Sequence, residues 1–184
     1  MADVYQGEAT KTLRSLGLFT INTPDSEFNA GVREAGQADR IYVGLIGGAL
    51  HTGAVEVKTG RGTHRQSWPF AEWKDEQRKW AAAWREKTGS PYLLFITVGD
   101  DMPHLPKTDK RKYPRITILV PHKVILQMEA EADRKSLSYE QIENMQLYRL
   151  QWAGGNCWTI PPHNPFWSGV TYDQRNIELR NRVA

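Results

Sequence analysis

The amino-acid sequence predicts an α/β fold in which a mixed central β-sheet is flanked by helices. A continuous apolar run, Tyr92–Val98, has the length and composition of a strand that is buried on both faces. Two β-rich runs on either side of Gly47 and Gly48 indicate a hairpin. Apolar residues at helical spacing over positions 5–18 and 121–134 predict helices before and after these strands.

The first half of the chain is predicted to contain a helix, a connecting loop and the hairpin. Positions 5–18 hold helix-forming residues, with Gly17 near the predicted end. Positions 22–37 are rich in Asn, Pro, Asp, Ser and Gly, which favours a loop. Strands over positions 39–46 and 49–58 then form the two arms of the hairpin.

The second half alternates helices and strands. A helix is predicted over positions 68–87, with Pro69 in its first turn and Gly89 just past its end. After the buried strand, a further strand is predicted over 115–120 and a helix over 121–134. Ser138 and Gln141 form a capping box that begins a shorter helix. A last strand is predicted over 147–152, then an irregular stretch over 153–165 and a short helical end over 172–182.

Composition excludes several classes of protein. The chain has 184 residues, of which 40% are hydrophobic and 24% charged, as expected for one globular domain. Its apolar runs are much shorter than the ~20 residues of a membrane helix, and its acidic amino terminus does not resemble a secretory signal. We therefore expect an intracellular, cytoplasmic protein with no membrane partner. The single cysteine, Cys157, excludes an intramolecular disulfide and a CxxC zinc site.

The hairpin register predicts a cluster of charged side chains. If Gly47 and Gly48 form a two-residue turn, Asp39 stands opposite Glu56, and directly opposed residues share a face of the sheet. Lys58 lies on that same face, because side chains alternate along a strand. A turn one residue longer would point Asp39 away from the cluster.

Two neighbouring carboxylates repel each other unless a cation neutralises them, and their oxygen atoms suit Mg²⁺ or Mn²⁺. Lys58 could orient or help deprotonate a water molecule, or stabilise negative charge that grows on a phosphate. These features indicate hydrolytic chemistry. The alternative is a charged network on a surface strand, with no function and little effect on stability.

Gln77 interrupts an apolar stripe on the following helix. Trp73, Trp80 and Trp84 fall on one side of that helix, and Gln77 projects into the middle of their stripe. A buried amide without a partner costs roughly 1 to 3 kcal/mol, so we expect Gln77 to reach a polar group. The alternative is a core glutamine that bonds to the backbone.

These residues, taken in order, resemble the PD-(D/E)xK nuclease superfamily, which has the restriction-endonuclease-like fold. The resemblance rests on a first helix with Glu8, the pair Ala38-Asp39, the strand Val55-Glu56-Val57-Lys58-Thr59 and a helix with Gln77. Within the superfamily, positions 68–77, 89–96 and 134–142 are similar to RecU-type Holliday junction resolvases. A second similar group is the virus-type replication and repair nucleases.

The resemblance implies a role for each matching residue. Asp39 and Glu56 would bind Mg²⁺ with help from the carbonyl of Val57, and Mn²⁺ would substitute. Lys58 would activate water and Gln77 would support the site. Glu8 would match an acidic residue that some members of the superfamily use in catalysis. Positions 1–152 would form the nuclease domain, with positions 153–184 as an irregular tail, rich in aromatic residues and proline, packed on it.

The implied function is that of a metal-dependent endonuclease that cleaves DNA at Holliday junctions or other branches, as a homodimer encoded by a phage or a bacterium. Alanine stands where the family has proline before Asp39, and positions 22–37 are short for the stalk of RecU-type resolvases. The alternatives are a non-catalytic nucleic-acid-binding protein with this fold and a sequence-specific restriction-type endonuclease.

Two basic segments are candidate DNA contacts, although the overall charge of +3 is too small to indicate nucleic-acid binding by itself. The candidate residues are Arg61, His64 and Arg65, which follow the strand of Glu56 and Lys58, and Lys110, Arg111 and Lys112 in the segment 107–115. Four aromatic residues near the carboxyl end could stack on unpaired bases or wedge a junction, or they could pack against the body of the protein or a second subunit: Trp152, Trp158, Phe166 and Trp167.

Overall fold

The computed structural model describes residues 2–23, 37–61, 66–100, 113–131 and 135–168. The strands are β1 (Phe19–Asn22), β2 (Arg40–Ile46), β3 (Ala49–Thr59), β4 (Ser67–Pro69), β5 (Tyr92–Val98), β6 (Ile116–Pro121), β7 (Ser136–Ser138), β8 (Gln151–Gly154) and β9 (Cys157–Thr159). The main sheet has five strands in the order β1-β2-β3-β5-β6. Because β3 and β5 are parallel and the other neighbours antiparallel, the sheet is mixed, as predicted.

Helices cover both faces of this sheet. The α-helices are α1 (Ala2–Ser15), α2 (Asp75–Thr88), α3 (His122–Glu131) and α4 (Tyr139–Asn144). On one face, α1 and β9 pack against the sheet through a core that includes Ala9, Leu13 and Trp158. On the other face, α2, α3 and α4 contribute Ala81, Ile125 and Ile142 to a second core. The predicted α/β class with flanking helices is therefore confirmed.

Strand β5 separates the two cores. All seven of its residues are buried, as its continuous apolar composition predicted. Leu94 and Ile96 belong to the core beneath α2, whereas Leu93 and Phe95 belong to the core beneath α1. The neighbouring strand β3 has the same alternation, so each of its side chains is assigned to one face.

The hairpin has the predicted register. Ile46 pairs with Ala49 and Arg40 with Val55, around a turn in which Gly47 and Gly48 have φ angles of 58° and 82°. Positive φ at both turn positions is the geometry that glycine accommodates. Since the register runs without a slip, Asp39 precedes β2 on the side of Glu56.

Two predicted elements are wrong in part. Positions 68–74 are not helical: Trp68 lies in β4, opposite Leu137 of β7, a 3₁₀ turn occupies Phe70–Glu72, and α2 begins only at Asp75. The strand predicted over 147–152 is a 3₁₀ turn over Gln146–Tyr148 followed by β8, and β9 lies within the predicted irregular stretch. In both cases, the strand depends on a partner that local spacing does not reveal.

Other boundaries agree with the sequence. Gly89 ends α2 in the left-handed conformation, with a φ of 67°. Ser138 and Gln141 form the predicted capping box of α4. Most of the predicted loop over 22–37 and the predicted helical end over 172–182 lie outside the described residues.

Candidate active site

Strand β3 presents Glu56 and Lys58 to the face that α2 covers. The Glu56 side chain is almost fully buried, with 1% of the residue exposed, and the Lys58 side chain is 11% exposed. Lys58 Nζ lies 2.9 Å from Glu56 Oε1. Val55 and Val57 point to the opposite core, so the alternation of β3 places the two charged groups side by side.

Asp39 is held beside this pair by the backbone of β3. Its Oδ2 accepts a hydrogen bond of 2.8 Å from the Val57 amide. This bond connects Asp39, at the start of β2, to the residue between Glu56 and Lys58. The structure thus brings together the three charged residues that the hairpin register had placed on one face.

Gln77 joins the cluster from the first turn of α2. Its Nε2 donates to Glu56 Oε1, and its Oε1 accepts a hydrogen bond of 2.9 Å from Lys58 Nζ. The same Oε1 accepts from the Lys74 amide at 3.0 Å, as the glutamine of a capping box does. One amide side chain therefore caps the helix and also connects Glu56 to Lys58.

Tyr92 is a member of the cluster that sequence analysis missed. Its hydroxyl donates a hydrogen bond of 3.1 Å to Glu56 Oε2, so both oxygens of Glu56 are engaged. Tyr92 opens the apolar strand β5 and was assigned only to the core. The parallel pairing of Ala54 with Tyr92 brings its hydroxyl to Glu56, and such pairing between distant segments is not visible in the sequence.

Gln6 is the second residue that was missed. Its Nε2 donates to Asp39 Oδ1 at 3.1 Å, and its Oε1 accepts from Arg40 Nη2 at 3.3 Å. Arg40 also donates from Nε to Thr10 Oγ1 at 2.8 Å. The first helix therefore contacts the cluster through Gln6, one turn before Thr10.

Burial changes the ionisation of the central carboxyl. The pKa of Glu56 is raised from 4.5 to about 7, first by burial and then by the negative charge of Asp39, while Lys58 and the hydrogen bond from Tyr92 act in the opposite direction. The pKa of Tyr92 is raised well above its ordinary value, first by burial and then by the charge of Glu56. A further positive charge at this site would stabilise the ionised form of Glu56.

The cluster contains oxygen atoms of the chemical types that bind Mg²⁺. Within the part of the chain that the structure describes, no three His, Cys, Asp or Glu side chains meet as a metal site. Magnesium, however, is commonly bound through one or two carboxylates, with water and substrate phosphate completing its coordination. Asp39 and Glu56 supply carboxylate oxygens, and Val57 supplies a backbone carbonyl oxygen, which are donors of the types that such a site uses.

Glu8 lies in a different cluster. It is buried against Arg115, whose Nη2 donates to Glu8 Oε2, and the indole Nε1 of Trp158 donates to the same oxygen at 3.0 Å. The guanidinium carbon of Arg115 is 4.9 Å from the ring centre of Tyr5 and 5.4 Å from that of Trp158. These contacts tie α1 to β6 and β9 on the face opposite Glu56.

The predicted DNA contacts are placed only in part. Arg61 is exposed, with 68% of its side chain accessible, and forms an ion pair of 2.6 Å with Glu72. His64, Arg65, Lys110, Arg111 and Lys112 lie outside the described residues. Arg115, at the end of the second basic segment, is buried in the ion pair with Glu8.

The aromatic residues near the carboxyl end pack on the body of the protein. Trp158 and Phe166 are buried, and Trp152 and Trp167 are half-buried beside them. The rings of Trp152 and Trp158 meet edge to face, with centres 5.0 Å apart. All four rings therefore pack against the body of the protein, which was one of the predicted alternatives, although part of Trp152 remains accessible.

The fold is similar to that of Hjc, a Holliday junction resolvase of the archaeal hyperthermophile Archaeoglobus fulgidus. The two share 13% identity, with a TM-score of 0.43, over 76% of this chain and 89% of that chain. At this level the similarity assigns neither a function nor a substrate to this chain.

No family model matches the sequence, and a search of curated proteins finds no match either. Among the described helices, none combines the length and the apolar character needed to cross a membrane.

Proposed function

We propose that the protein is a metal-dependent endonuclease that hydrolyses DNA phosphodiester bonds. The observation that carries the proposal is a network of side chains. Lys58 Nζ lies 2.9 Å from both Glu56 Oε1 and Gln77 Oε1, and Asp39 accepts a hydrogen bond from the Val57 amide, between Glu56 and Lys58. A buried carboxylate, a lysine and a second carboxylate on one face of a hairpin suit the attack of water on a phosphate.

Asp39, Glu56 and the Val57 carbonyl would hold the Mg²⁺ ion, and Mn²⁺ would substitute for it. A bound divalent cation supplies Lewis-acid stabilisation of the phosphate charge. The protein contributes the position of the ligands: the Val57 amide and Gln6 orient Asp39, and Tyr92 orients Glu56.

Lys58 is the residue that would act on the reacting groups. Its ammonium group would orient the attacking water and oppose the negative charge that grows on the phosphate oxygens. In the reaction, the oxygen of water forms a bond to phosphorus and gives up a proton to the surrounding solvent, the ester P–O bond breaks, and the leaving oxygen takes up a proton from solvent. Gln77 would keep Lys58 and Glu56 in position throughout.

The finer proposal is a substrate of branched DNA, such as a Holliday junction, cleaved by a homodimer within the cell. Its support is the sequence resemblance to RecU-type resolvases over positions 68–77, 89–96 and 134–142. Positions 1–152 would form the nuclease domain with 153–184 as its tail. We give Glu8 a structural role, because its carboxylate is occupied by Arg115 and Trp158.

Cleavage of labelled four-way junction, flap, linear duplex and single-stranded DNA, in Mg²⁺ or EDTA, tests this proposal. The parent should cut in Mg²⁺ and not in EDTA. Glu56→Gln should cut at least a hundredfold more slowly, because it loses a charged ligand while keeping its size. Glu86→Gln, an exposed glutamate of α2, is the matched control and should cut like the parent.

The pattern of products decides the finer points. Paired symmetric cuts confined to the junction support a resolvase, and discrete fragments from duplex DNA indicate a restriction-type enzyme. Equal rates for the parent and Glu56→Gln would overturn the assigned site. Salt-dependent binding without any metal-dependent cleavage would show a non-catalytic binding protein instead.

A further inference from the structure

A pocket lies on the face opposite Glu56, near the beginning of β6. It has a volume of about 510 Å³, and its polar and aromatic lining includes Arg115, Gln146, Arg149, Gln151, Trp152 and His163. Arg115 directly precedes Ile116, which pairs with Val98 at the end of β5. In the sheet, Lys58 stands beside Ile96, so the pocket and Lys58 lie toward the same end of these strands.

The lining of the pocket favours an anion. Among the described residues that line it, none is an aspartate or a glutamate. The charge of Arg115 is balanced by Glu8, but no ion pair within the described part of the chain balances Arg149. In addition, the Nε–H of Arg115 is buried and has no acceptor among the described residues. Arg149 is thus a cation available to a ligand.

Trp152 gives the pocket an aromatic surface. Its indole meets Trp158 edge to face and has the guanidinium carbon of Arg115 5.8 Å from its ring centre, yet the residue remains half-exposed. A nucleobase that is free of base pairing can stack on such a ring, and each stacked base contributes about 1 to 3 kcal/mol. A base within a duplex is already stacked and would first have to leave the helix.

We propose that this pocket binds one nucleotide of an unpaired DNA strand, with its phosphate on Arg149 and its base against Trp152. The proposal rests on the proposed function as a DNA nuclease and adds a contact for single-stranded DNA away from the metal site. A branched or frayed substrate offers such a strand close to its duplex arms.

Binding of a fluorescent oligothymidylate in EDTA tests the pocket without any cleavage. Arg149→Gln should weaken binding about tenfold and lower the slope of log affinity against log salt by about 0.7. Lys87→Gln, which removes an exposed lysine of α2 remote from this lining, is the matched control and should leave affinity within about twofold of the parent.

Variants at Trp152 test stacking separately. Trp152→Ala should weaken binding about tenfold, whereas Trp152→Phe keeps a ring and should retain most of the affinity. Circular dichroism of each variant checks folding. If folded Arg149→Gln binds like Lys87→Gln, or Trp152→Ala binds like the parent, the proposed pocket is wrong.

The two proposals fail in different ways. If the parent cleaves none of the substrates, the proposed nuclease function is wrong. The effect of Arg149→Gln on oligothymidylate binding in EDTA can still be measured in that case. Normal Mg²⁺-dependent cleavage, together with unchanged oligothymidylate binding by Arg149→Gln, would overturn the pocket alone.

Discussion

At the scale of single residues, Glu56 is held in an environment that opposes its charge. It is almost fully buried and lies near a second carboxylate, and both conditions raise its pKa, to about 7. Lys58 and Tyr92 offset this effect only in part. A position that costs stability in this way is typical of a site arranged for ligand binding or catalysis.

The raised pKa makes stability depend on pH. The pKa of Glu56 is about 7 in the folded chain, against 4.5 for an ordinary glutamate. The folded state therefore binds the proton more tightly, and the free energy of unfolding of the protein falls by about 3 kcal/mol as pH rises from the lower value to the higher. The Glu56→Gln variant has no ionisable group at this position, so its stability should not fall in this way. In EDTA, its free energy of unfolding should equal that of the parent at about pH 4 and exceed it by about 3 kcal/mol at about pH 8.

Urea unfolding at a series of pH values measures this difference. Glu86→Gln is exposed and should show no such growth. A difference between Glu56→Gln and the parent that stays constant with pH would contradict the burial of an ionisable carboxyl. Added Mg²⁺ should stabilise the parent more than the variant, since a ligand stabilises the folded state that binds it.

At the scale of secondary structure, the beginning of α2 is part of the candidate site. Gln77 accepts the Lys74 amide as a helix cap and also bonds to Glu56 and Lys58. Helix α4 has the same device in Ser138 and Gln141, but away from the charged cluster. The two helices therefore offer a comparison between capping alone and capping combined with a role in the site.

Replacement of the two glutamines should separate these roles. Gln77→Ala and Gln141→Ala should each lose about 1 kcal/mol of stability through the cap. Only Gln77→Ala should also lower the cleavage rate, by at least tenfold, because Lys58 and Glu56 lose a shared partner. Thermal melts and single-turnover cleavage measure the two effects. If Gln77→Ala and Gln141→Ala cleave at the same rate, Gln77 acts only as a helix cap.

Local rules predicted some of these features and missed others. The turn at Gly47 and Gly48 fixes the register of its own two strands, so the neighbourhood of Asp39, Glu56 and Lys58 follows from adjacent sequence. Tyr92 reaches Glu56 only through pairing between β3 and β5, which are separated by the whole of α2. Helical spacing around Pro69 likewise gave no sign of the partner strand β7.

At the scale of the whole molecule, one buried carboxylate joins the amino-terminal helix to the start of β6 by an ion pair and to the β8–β9 hairpin by a hydrogen bond. Glu8 of α1 bonds to Arg115 before β6 and to Trp158 of β9. Sequence spacing could not identify this role, because the carboxylate of Glu8 and its cation are 107 positions apart in the chain. The resemblance instead suggested catalysis for Glu8.

Charge removal at Glu8 tests these two interpretations. Glu8→Gln leaves Arg115 buried without its counter-charge, and loss of one partner of a buried pair costs about 3 to 5 kcal/mol. We expect a lower melting temperature, with the cleavage rate per folded molecule close to that of the parent. The double variant Glu8→Leu with Arg115→Met should recover much of the stability.

Differential scanning calorimetry and cleavage at a temperature where each variant is folded provide the measurements. A normal melting temperature combined with a hundredfold slower reaction would assign Glu8 to catalysis, as the sequence resemblance implied.

The capping role of Gln77 also limits how the protein tolerates heat. Helix ends open locally at a lower free-energy cost than the whole domain. When the first turn of α2 frays, Gln77 leaves Lys58 and Glu56, although the sheet beneath them is still intact. Catalytic competence should therefore decline on warming before the protein melts, and cooling should restore it.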